Sequence, residues 1–316
     1  MPDINLSIRS LPHCGLFVTL IDACNINCNF CPFPKRKKFR NGNKLDYPAF
    51  VRMLNELSLN PPAIPLNSVC FCGSSEPLLY EKVTELIAET KKVVPFVSLV
   101  TNGVLLSKEM SKKLLNVKVD HIVVSITGDT AEIYNKYQGS GKTPKKAVEQ
   151  FKLVRDNVEN FVKLRDKLKS PTQIGISYIL HEKSKCDLFK SLNYYYKIGV
   201  NYVDIRIESL GFRKSSDFLD EFGEYLKDVQ HNFNGVACTC FGKVMDVSTD
   251  GTLRFCNCSY VPETILGNIF KTPLAEILNS EKFIKLNKAF YGVGGYQNIP
   301  ELCKKCDLMR ARPILA

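Results

Sequence analysis

The chain has 316 residues, of which 45% are hydrophobic and 24% are charged, and its formal net charge at pH 7 is +11. A chain of this length can bury one large core, or a core with a small appendage, and its composition is not that of a disordered polypeptide. The sequence contains no signal-peptide pattern and no apolar run near the roughly 18 residues of a membrane span. We therefore expect a cytoplasmic protein without a membrane segment.

The chain contains 13 cysteines. A reducing compartment keeps thiols available for metals or catalysis, so the sequence predicts functional cysteines instead of a disulfide framework. The basic net charge is compatible with an anionic substrate or an acidic peptide, and equally with a solvated surface. Because no RNA- or DNA-binding signature accompanies the charge, nucleic acid is not an expected partner.

Short β-rich runs alternate with longer amphipathic segments along most of the chain. Six runs are predicted strands: Phe17–Ile21, Ser68–Cys72, Phe96–Val100, His121–Ile126, Ile174–Leu180 and Tyr202–Ile207. The segments between them have helical periodicity; in Tyr80–Val94, for example, Val83, Leu86, Ile87 and Thr90 share one face. Right-handed crossovers between parallel strands then predict an α/β fold, a partial (β/α)6 TIM-like barrel with its active face at the carboxyl ends of the strands.

The character of the sequence changes near residue 234, where Gly and Cys become dense. Asp250-Gly251 has the composition of a hairpin turn between two short β runs, and Pro273–Lys285 has a helical pattern. We therefore predict two domains, a partial barrel over residues 1–233 and a small β-hairpin-plus-helix domain over residues 234–316.

Three cysteines follow the first predicted strand on one short loop. Cys24, Cys28 and Cys31 have the spacing C-x3-C-x2-C. Three thiolates on one loop can ligate three irons of a 4Fe-4S cube, which leaves the fourth iron open to a substrate or cofactor. The alternative is a zinc knuckle, for which tetrahedral zinc would need a fourth ligand that the neighbourhood does not supply at a suitable spacing.

Polar motifs follow the later strands in turn. The second strand ends in Cys72-Gly73-Ser74-Ser75-Glu76-Pro77, the third in Thr101-Asn102-Gly103 and the fourth in Ser125-Ile126-Thr127-Gly128, while Ser177 and Arg206 lie in strands five and six. Each has an ordinary structural explanation as well. Glu76-Pro77 can begin a helix, Asn102-Gly103 can form a tight turn, and Arg206 can pair with a neighbouring carboxylate.

The cysteine loop and these motifs, in this order, resemble the radical S-adenosylmethionine (SAM) superfamily. The resemblance implies a 4Fe-4S cluster on Cys24, Cys28 and Cys31, whose open iron binds SAM and whose electron cleaves it to a 5'-deoxyadenosyl radical. It also implies an electron donor such as flavodoxin or ferredoxin. The implied SAM-binding residues are Phe30 near the adenine, Gly73, Ser74, Ser75 and Glu76 near the ammonium, Asn102 and Ser125 on the ribose and carboxylate side, and Ser177 and Arg206. Two serines depart from the family's usual Gly-Gly-Glu-Pro segment.

Six further cysteines lie in the last quarter of the chain: Cys238, Cys240, Cys256, Cys258, Cys303 and Cys306. Their spacing around Gly251 resembles the SPASM and Twitch extensions of the same superfamily, and this implies one auxiliary 4Fe-4S cluster with four protein ligands. Cys256, Cys303 and Cys306 are three of them, and the fourth is Cys238 or Cys240, with Cys258 a further candidate. A structural zinc ribbon is the alternative.

By the same resemblance, the radical abstracts hydrogen from an unactivated carbon. An auxiliary cluster that accepts an electron would give oxidation or cross-linking, whereas a thiol that returns hydrogen, with Cys258 as the candidate, would give epimerisation. His181 is the candidate acid-base group. The first strand begins near residue 16, which leaves no room for an N-terminal peptide-recognition domain. We therefore expect a carbohydrate-like, cyclitol-like or other small-molecule substrate, or a peptide presented by a separate partner.

Two other functions are compatible with the sequence. One is an RNA-modifying radical SAM enzyme, which would bind tRNA tightly and with strong salt dependence. The other is a non-catalytic module that binds zinc or an iron–sulfur cluster and holds a partner through its basic surface.

Overall fold

In a computed structural model of the protein, strands and helices alternate along the barrel part of the chain. The structure describes residues 14–31, 41–62, 65–73, 75–128, 130–139, 143–180, 188–207, 244–256, 261–291 and 300–304. The strands are β1 (Cys14–Val18), β2 (Leu66–Phe71), β3 (Phe96–Thr101), β4 (His121–Ser125), β5 (Gln173–Leu180), β6 (Tyr202–Ile207), β7 (Met245–Val247), β8 (Thr252–Arg254) and β9 (Ile265–Asn268). The α-helices are α1 (Tyr47–Leu59), α2 (Val83–Lys91), α3 (Lys108–Asn116), α4 (Ala131–Tyr137), α5 (Pro144–Lys167), α6 (Leu188–Lys197), α7 (Leu274–Leu278), α8 (Glu281–Tyr291) and α9 (Glu301–Lys304).

All of these strands belong to one sheet, in the order β6-β5-β4-β3-β2-β1-β7-β8-β9. Strands β1 to β6 pair in parallel with their neighbours, and parallel neighbours need a crossover, which the helices supply. Alternate strand residues such as Val18, Phe71, Leu99 and Ile176 are fully buried in the hydrophobic core. The predicted α/β fold with a partial, TIM-like barrel is confirmed, and its carboxyl edge gathers the loops that carry the polar motifs.

The first strand lies earlier than predicted. It ends at Val18, whereas the prediction placed it over Phe17–Ile21. Leu20 and Ile21 are buried, as their apolar character requires, but their backbones pair with residues 44 and 45 instead of a neighbouring strand of the sheet. Leu45 N donates to Leu20 O at 2.8 Å, and Ile21 forms an isolated antiparallel bridge with Lys44. The apolar run therefore continues past the strand into the loop that carries the cysteines.

The helices follow the predicted periodicity, with one interruption. Helix α2 buries Val83, Leu86, Ile87 and Thr90, the four residues predicted to share its inner face. The segment predicted as one helix over residues 273–285 forms two helices, α7 and α8. Ser280 separates them: its hydroxyl donates to Ile277 O at 2.7 Å and accepts from Phe283 N at 3.3 Å. Serine favours such local bonds to the backbone over a continuous helix.

The helices of the described ranges include none that is both long and apolar enough to cross a membrane. The longest, α5, has 24 residues and is amphipathic, with buried residues on one side and charged residues on the other.

The predicted hairpin at Asp250-Gly251 is present between β7 and β8, which pair antiparallel. Gly251 N donates to Ser248 O at 2.9 Å, and the Asp250 carboxylate accepts from Thr252 N at 2.9 Å. Strand β7 also pairs in parallel with β1, so the hairpin extends the sheet of the barrel. The domain boundary between residues 233 and 234 stays a prediction.

Replacing Gly251 by Ala should destabilise the fold for two separable reasons. Its φ is +80°, where a side chain costs about 1–2 kcal/mol. A Cβ atom would also lie 2.4 Å from the Phe270 ring, and relief of that overlap costs about 1–3 kcal/mol more. Urea denaturation measures the total change in unfolding free energy.

Gly42→Ala is the matched control. Gly42 has φ +78° but nothing within 4 Å of the added Cβ, so this variant should show the backbone cost alone. Equal losses in the two variants would contradict the role given to Phe270.

Candidate active site

The loop that follows β1 carries the three predicted cluster ligands. Cys24, Cys28 and Cys31 are each half-buried, and Cys31 N donates to Cys28 O at 3.2 Å, which turns the chain between them. Ile26 is buried and anchors the loop to the core. The structure therefore places all three thiols on one anchored loop at the carboxyl edge of the sheet.

Neighbouring elements hold this loop through its other residues. Glu76 N, beyond β2, donates to Ala23 O at 2.9 Å. The Asn102 side-chain amide, beyond β3, donates to Asn25 Oδ1 at 2.7 Å, and its nitrogen lies 3.7 Å from Cys24 Sγ. These bonds attach the loop to the ends of β2 and β3 through its backbone, through Asn25 and through the Cys24 thiol.

The Glu76 carboxylate is the most deeply buried charged group at this edge. It caps the short 3-10 helix Pro77–Leu79 by accepting from Leu78 N at 3.2 Å, as the helix-start alternative predicts. It also accepts from Thr101 Oγ1 and from Asn102 N, both at 2.7 Å. Burial raises the pKa of Glu76 to about 7, although the three hydrogen bonds act in the opposite direction. A cationic ligand beside this carboxylate would offset the cost of burying its charge.

Two buried hydroxyl groups near the same strand ends have no hydrogen-bond partner among the described residues: Ser75 Oγ and Thr127 Oγ1. Such groups are costly unless a ligand or water satisfies them. Gly73 has φ +116°, and a Cβ there would lie 2.3 Å from Thr19 Oγ1, so the backbone approaches closely at this point. Polar groups and a closely packed backbone segment therefore lie at the strand ends beside the cysteine loop.

Ser125 and Ser177 lie side by side at neighbouring strands. They are register partners on β4 and β5, and Ser177 is in turn the register partner of Asp204 on β6. Ser177 is buried and Ser125 is half-buried. Arg206 lies in β6, two residues beyond Asp204. The side chain of Arg206 lies outside the described part of the structure.

The remaining predicted site residues divide into two groups. Phe30 is half-buried on the cysteine loop, Cys256 is half-buried just after β8, and Cys303 is buried in α9. The others lie outside the described residues: Ser74, His181, Cys238, Cys240, Cys258 and Cys306.

Two features of the site were missed at the level of sequence. Gln138 bridges the segment after β4, donating to Ser125 O at 2.6 Å and accepting from Thr127 N at 2.8 Å. Thr249, in the hairpin turn, donates to the buried Asp22 carboxylate at 3.0 Å, and the pKa of Asp22 is raised, chiefly by burial. Neither residue belongs to a recognisable motif, because both act across long sequence separations.

The cysteine loop fits a 4Fe-4S cluster. Within the described ranges, no set of three or more His, Cys, Asp or Glu side chains converges as the ligands of a single metal ion do. The thiolates of a cube each bind a different iron, so they surround the cluster instead of converging on one point. Three thiols on one loop, beside a buried carboxylate and two hydroxyl groups without a described hydrogen-bond partner, suit a cluster with one ligand position left for a second molecule.

Two family models match the chain. The model of the radical SAM superfamily matches residues 18–165, and that of an iron–sulfur cluster-binding domain, SPASM, matches residues 238–307. The chain belongs to the radical SAM superfamily and carries a C-terminal SPASM domain. The cofactors of these families are SAM, the 4Fe-4S cluster that binds it, and auxiliary iron–sulfur clusters in the SPASM part, and the predicted cofactors are confirmed at this level.

Curated relatives are distant in sequence. The chain is 22% identical to a PqqA peptide cyclase of Granulibacter bethesdensis over 61% of this chain, but it spans only 47% of that protein. It is 22% identical to the tungsten-containing aldehyde ferredoxin oxidoreductase cofactor-modifying protein of Pyrococcus furiosus, over 85% of this chain and 81% of the relative. A probable GTP 3',8-cyclase of Saccharolobus islandicus is 24% identical, over 68% of this chain and 65% of the relative.

Solved structures share the fold at low identity. The native anSMEcpe structure with bound AdoMet has a TM-score of 0.65 at 18% identity, covering 94% of this chain and 87% of that one. Streptococcus suis SuiB bound to S-adenosylmethionine has a TM-score of 0.64 at 15% identity, covering 94% and 71%. BtrN in complex with AdoMet and 2-DOIA has a TM-score of 0.54 at 19% identity, covering 93% and 92%. Two of these proteins have also been solved with peptides, anSMEcpe with Cp18Cys and SuiB with its precursor SuiA.

The raised pKa of Glu76 predicts a pH-dependent stability when SAM is absent. Between the ordinary value of 4.5 and about 7, the unfolded chain releases the Glu76 proton and the folded chain retains it. The stabilisation is therefore complete below pH 4.5 and is lost as the pH rises through 7. At about 1.36 kcal/mol per pKa unit, we expect a loss of about 3 kcal/mol.

Glu76→Gln provides the reference, because its amide does not titrate. Between pH 4.5 and pH 7.5, the unfolding free energy of wild type should fall relative to that of the variant. A difference that does not vary with pH would refute the assignment.

Proposed function

We propose that Cys24, Cys28 and Cys31 hold the SAM-binding 4Fe-4S cluster and that the chain uses it to start radical chemistry on an organic substrate. The observation that carries the proposal is the placement of the three thiols on one anchored loop, beside the buried Glu76 carboxylate at the carboxyl edge of the sheet. When bound, the cluster supplies the electron that cleaves SAM to a 5'-deoxyadenosyl radical. The chain supplies binding, orientation and exclusion of water.

The polar residues at these strand ends and on the cysteine loop have distinct proposed roles in SAM binding. The buried Glu76 carboxylate and the backbone at Gly73 bind the ammonium group, and the aromatic ring of Phe30 packs near the adenine. Asn102 holds the cysteine loop against the end of β3, where its side chain bridges the two. Ser125 and Ser177, paired across β4 and β5, bind the ribose and carboxylate side. The sequence adds Ser74, Ser75 and Arg206 to this set.

We assign the auxiliary 4Fe-4S cluster to Cys256, Cys303 and Cys306, with Cys238 or Cys240 as the fourth ligand. The match to the iron–sulfur cluster-binding domain over residues 238–307 supports this assignment, since it includes all of these cysteines. An electron passed to this cluster would make the net reaction an oxidation or a cross-link. Hydrogen returned by a thiol such as Cys258 would make it an epimerisation, with His181 as the candidate acid-base group.

The proposed substrate is a peptide. Support comes from anSMEcpe and SuiB, which match nearly the whole of this chain and have been solved with peptides, and from the PqqA peptide cyclase relative. A small metabolite is the second candidate, because BtrN, solved with 2-DOIA, matches the chain with nearly complete coverage on both sides.

Substitution of any one of Cys24, Cys28 or Cys31 by Ala should abolish SAM cleavage, because a cube with an incomplete ligand set is lost or misoriented. Anaerobically reconstituted protein is mixed with SAM and dithionite, and 5'-deoxyadenosine is quantified. Cys70→Ala, a cysteine of β2 outside both motifs, is the matched control and should retain cleavage. A colourless, zinc-loaded wild type without cleavage would refute the enzyme proposal and favour a non-catalytic module.

Cys303→Ala and Cys306→Ala should spare SAM cleavage but stop substrate turnover, because they remove ligands of the auxiliary cluster only. Iron content should fall toward that of a single cluster. Loss of 5'-deoxyadenosine formation in these variants would contradict the separation of roles.

Substrate class and net reaction can be measured together. Wild type is incubated with short peptides encoded beside its gene and, separately, with metabolites of the same gene neighbourhood, in D2O. A peptide product lighter by two hydrogens supports oxidation of the peptide. A product that has instead gained one carbon-bound deuterium from the solvent, with no loss of two hydrogens, supports epimerisation. Turnover of metabolites alone would favour the second candidate.

A further inference from the structure

Helix α4 lies directly against the cysteine loop. Asn29, between Cys28 and Cys31, donates from its backbone N to Tyr137 O at 2.8 Å, and its side-chain amide donates to Lys136 O. These carbonyls belong to the last turn of the helix, where carbonyl groups have no intrahelical partner. The end of the helix and the loop are therefore fixed to each other, although 107 residues separate Asn29 from Lys136 in sequence.

Gln138 follows directly and is the C-cap residue of this helix. Its side chain is buried, with only 1% of the residue exposed. The amide nitrogen Nε2 donates to Ser125 O at 2.6 Å, and the amide oxygen Oε1 accepts from Thr127 N at 2.8 Å. Because one partner is a carbonyl and the other is an N–H group, only one orientation of the amide satisfies both. Both ends of the amide therefore bind the backbone of one short segment, residues 125–127, at the end of β4.

This segment belongs to the proposed SAM site. Ser125 is the register partner of Ser177 on β5, and Ile126 N donates to Ser177 O at 3.1 Å. Thr127 is completely buried, and its hydroxyl has no hydrogen-bond partner among the described residues. A buried hydroxyl of this kind needs a ligand or a water molecule as its partner. Gln138 thus holds the backbone of a segment that has a polar group left for a ligand.

The turn that follows this segment packs closely on α4. Gly128 has φ +85°, and a Cβ atom there would lie 2.4 Å from Ile133 Cγ2. Packing sets the separation between the turn and the helix, whereas the two hydrogen bonds of Gln138 set the orientation of the peptide groups, because such bonds are directional. Residues 136–138 therefore contact both the cysteine loop and the end of β4, two separate parts of the proposed SAM site.

We propose that Gln138 is a positioning residue for SAM binding, which holds residues 125–127 in place relative to the cysteine loop before SAM arrives. This inference rests on the proposed function, because it requires SAM to contact both the cluster and the end of β4. A site whose parts are already ordered binds its ligand more tightly, since binding then carries no cost of ordering them. Gln138 acts through Ser125 and Thr127 and does not touch SAM itself.

Gln138→Met tests the proposal, because methionine has a similar length but forms neither hydrogen bond. Reconstituted protein with an oxidised cluster, which cannot cleave SAM, is titrated with SAM by calorimetry to give the Kd per assembled cluster. We expect the Kd to rise about tenfold, the cost of ordering one or two groups on binding. In the reduced protein, the rate of 5'-deoxyadenosine formation at saturating SAM should change much less than the Kd, because the variant retains the cluster ligands and Glu76.

Gln150→Met is the matched control. Gln150 is also buried and also bonds to α4, since its amide nitrogen donates to the Tyr134 hydroxyl at 2.8 Å. The hydrogen bonds described for its side chain include none to residues 125–127. The same substitution at this position should leave the Kd for SAM unchanged. An equal rise of the Kd in both variants would show a general loosening of α4 and would overturn the proposal.

A purely structural role of Gln138 is distinguished by comparing stability with affinity. Urea denaturation gives the unfolding free energy of each variant, and iron analysis gives its cluster content. A loss of stability or of cluster content in Gln138→Met, with an unchanged Kd per assembled cluster, would overturn the proposal.

Gln138→Asn decides if Gln138→Met assembles no cluster. Asparagine keeps the amide, but its side chain is one carbon too short to reach both Ser125 O and Thr127 N in their present positions. The Kd of this variant should also rise, and an unchanged Kd overturns the proposal.

The two levels of inference can fail separately. Wild type without a cluster or SAM cleavage would refute the proposed function. Normal cleavage in wild type, with the same Kd for SAM in wild type and in Gln138→Met, would refute only the role of Gln138.

Discussion

The buried carboxylate of Glu76 connects the ends of three neighbouring strands. Its oxygens accept from Thr101, the last residue of β3, and from Asn102 just beyond it, while its own backbone N–H donates to Ala23 on the cysteine loop beyond β1. Burial of a carboxylate is expensive, and its raised pKa shows that three hydrogen bonds do not fully compensate. The folded protein therefore keeps a buried carboxylate whose charged form is destabilised, at the edge where SAM is proposed to bind. A bound cation would relieve that cost, so the group that organises the strand ends also favours the ligand.

The same arrangement explains why the cysteine loop keeps its place. Ligands of a cluster must be positioned by contacts other than those with the cluster, and in this chain the contacts come from asparagines. Asn25 accepts from Asn102, and Asn29 donates to the end of α4. Each bond lies next to a cysteine in sequence, so the loop is fixed beside Cys24 and beside Cys28.

Sequence patterns predicted the parts of the fold that depend on local periodicity. The strand Tyr202–Ile207 and the inner face of α2 follow from alternation and helical spacing alone. The end of β1 and the break at Ser280 were missed, because burial of an apolar residue does not show whether its backbone bonds within a sheet or to a loop. The positions of Ser125 and Ser177 were predictable as strand ends, and their pairing followed from the parallel order. The contact between α4 and the cysteine loop was not predictable, because no local pattern marks an interaction across so long a separation.

Cys256 and the first cysteine loop are connected through one continuous sheet. Thr249, in the turn of the C-terminal hairpin, donates to Asp22, which precedes the first cysteine by two residues. The same hairpin leads through β8 to Cys256, and β7 bonds directly along β1. A parallel pair and a buried side-chain hydrogen bond resist relative motion far more than a flexible linker would. The fold thus fixes the position of Cys256 relative to the first cysteine loop.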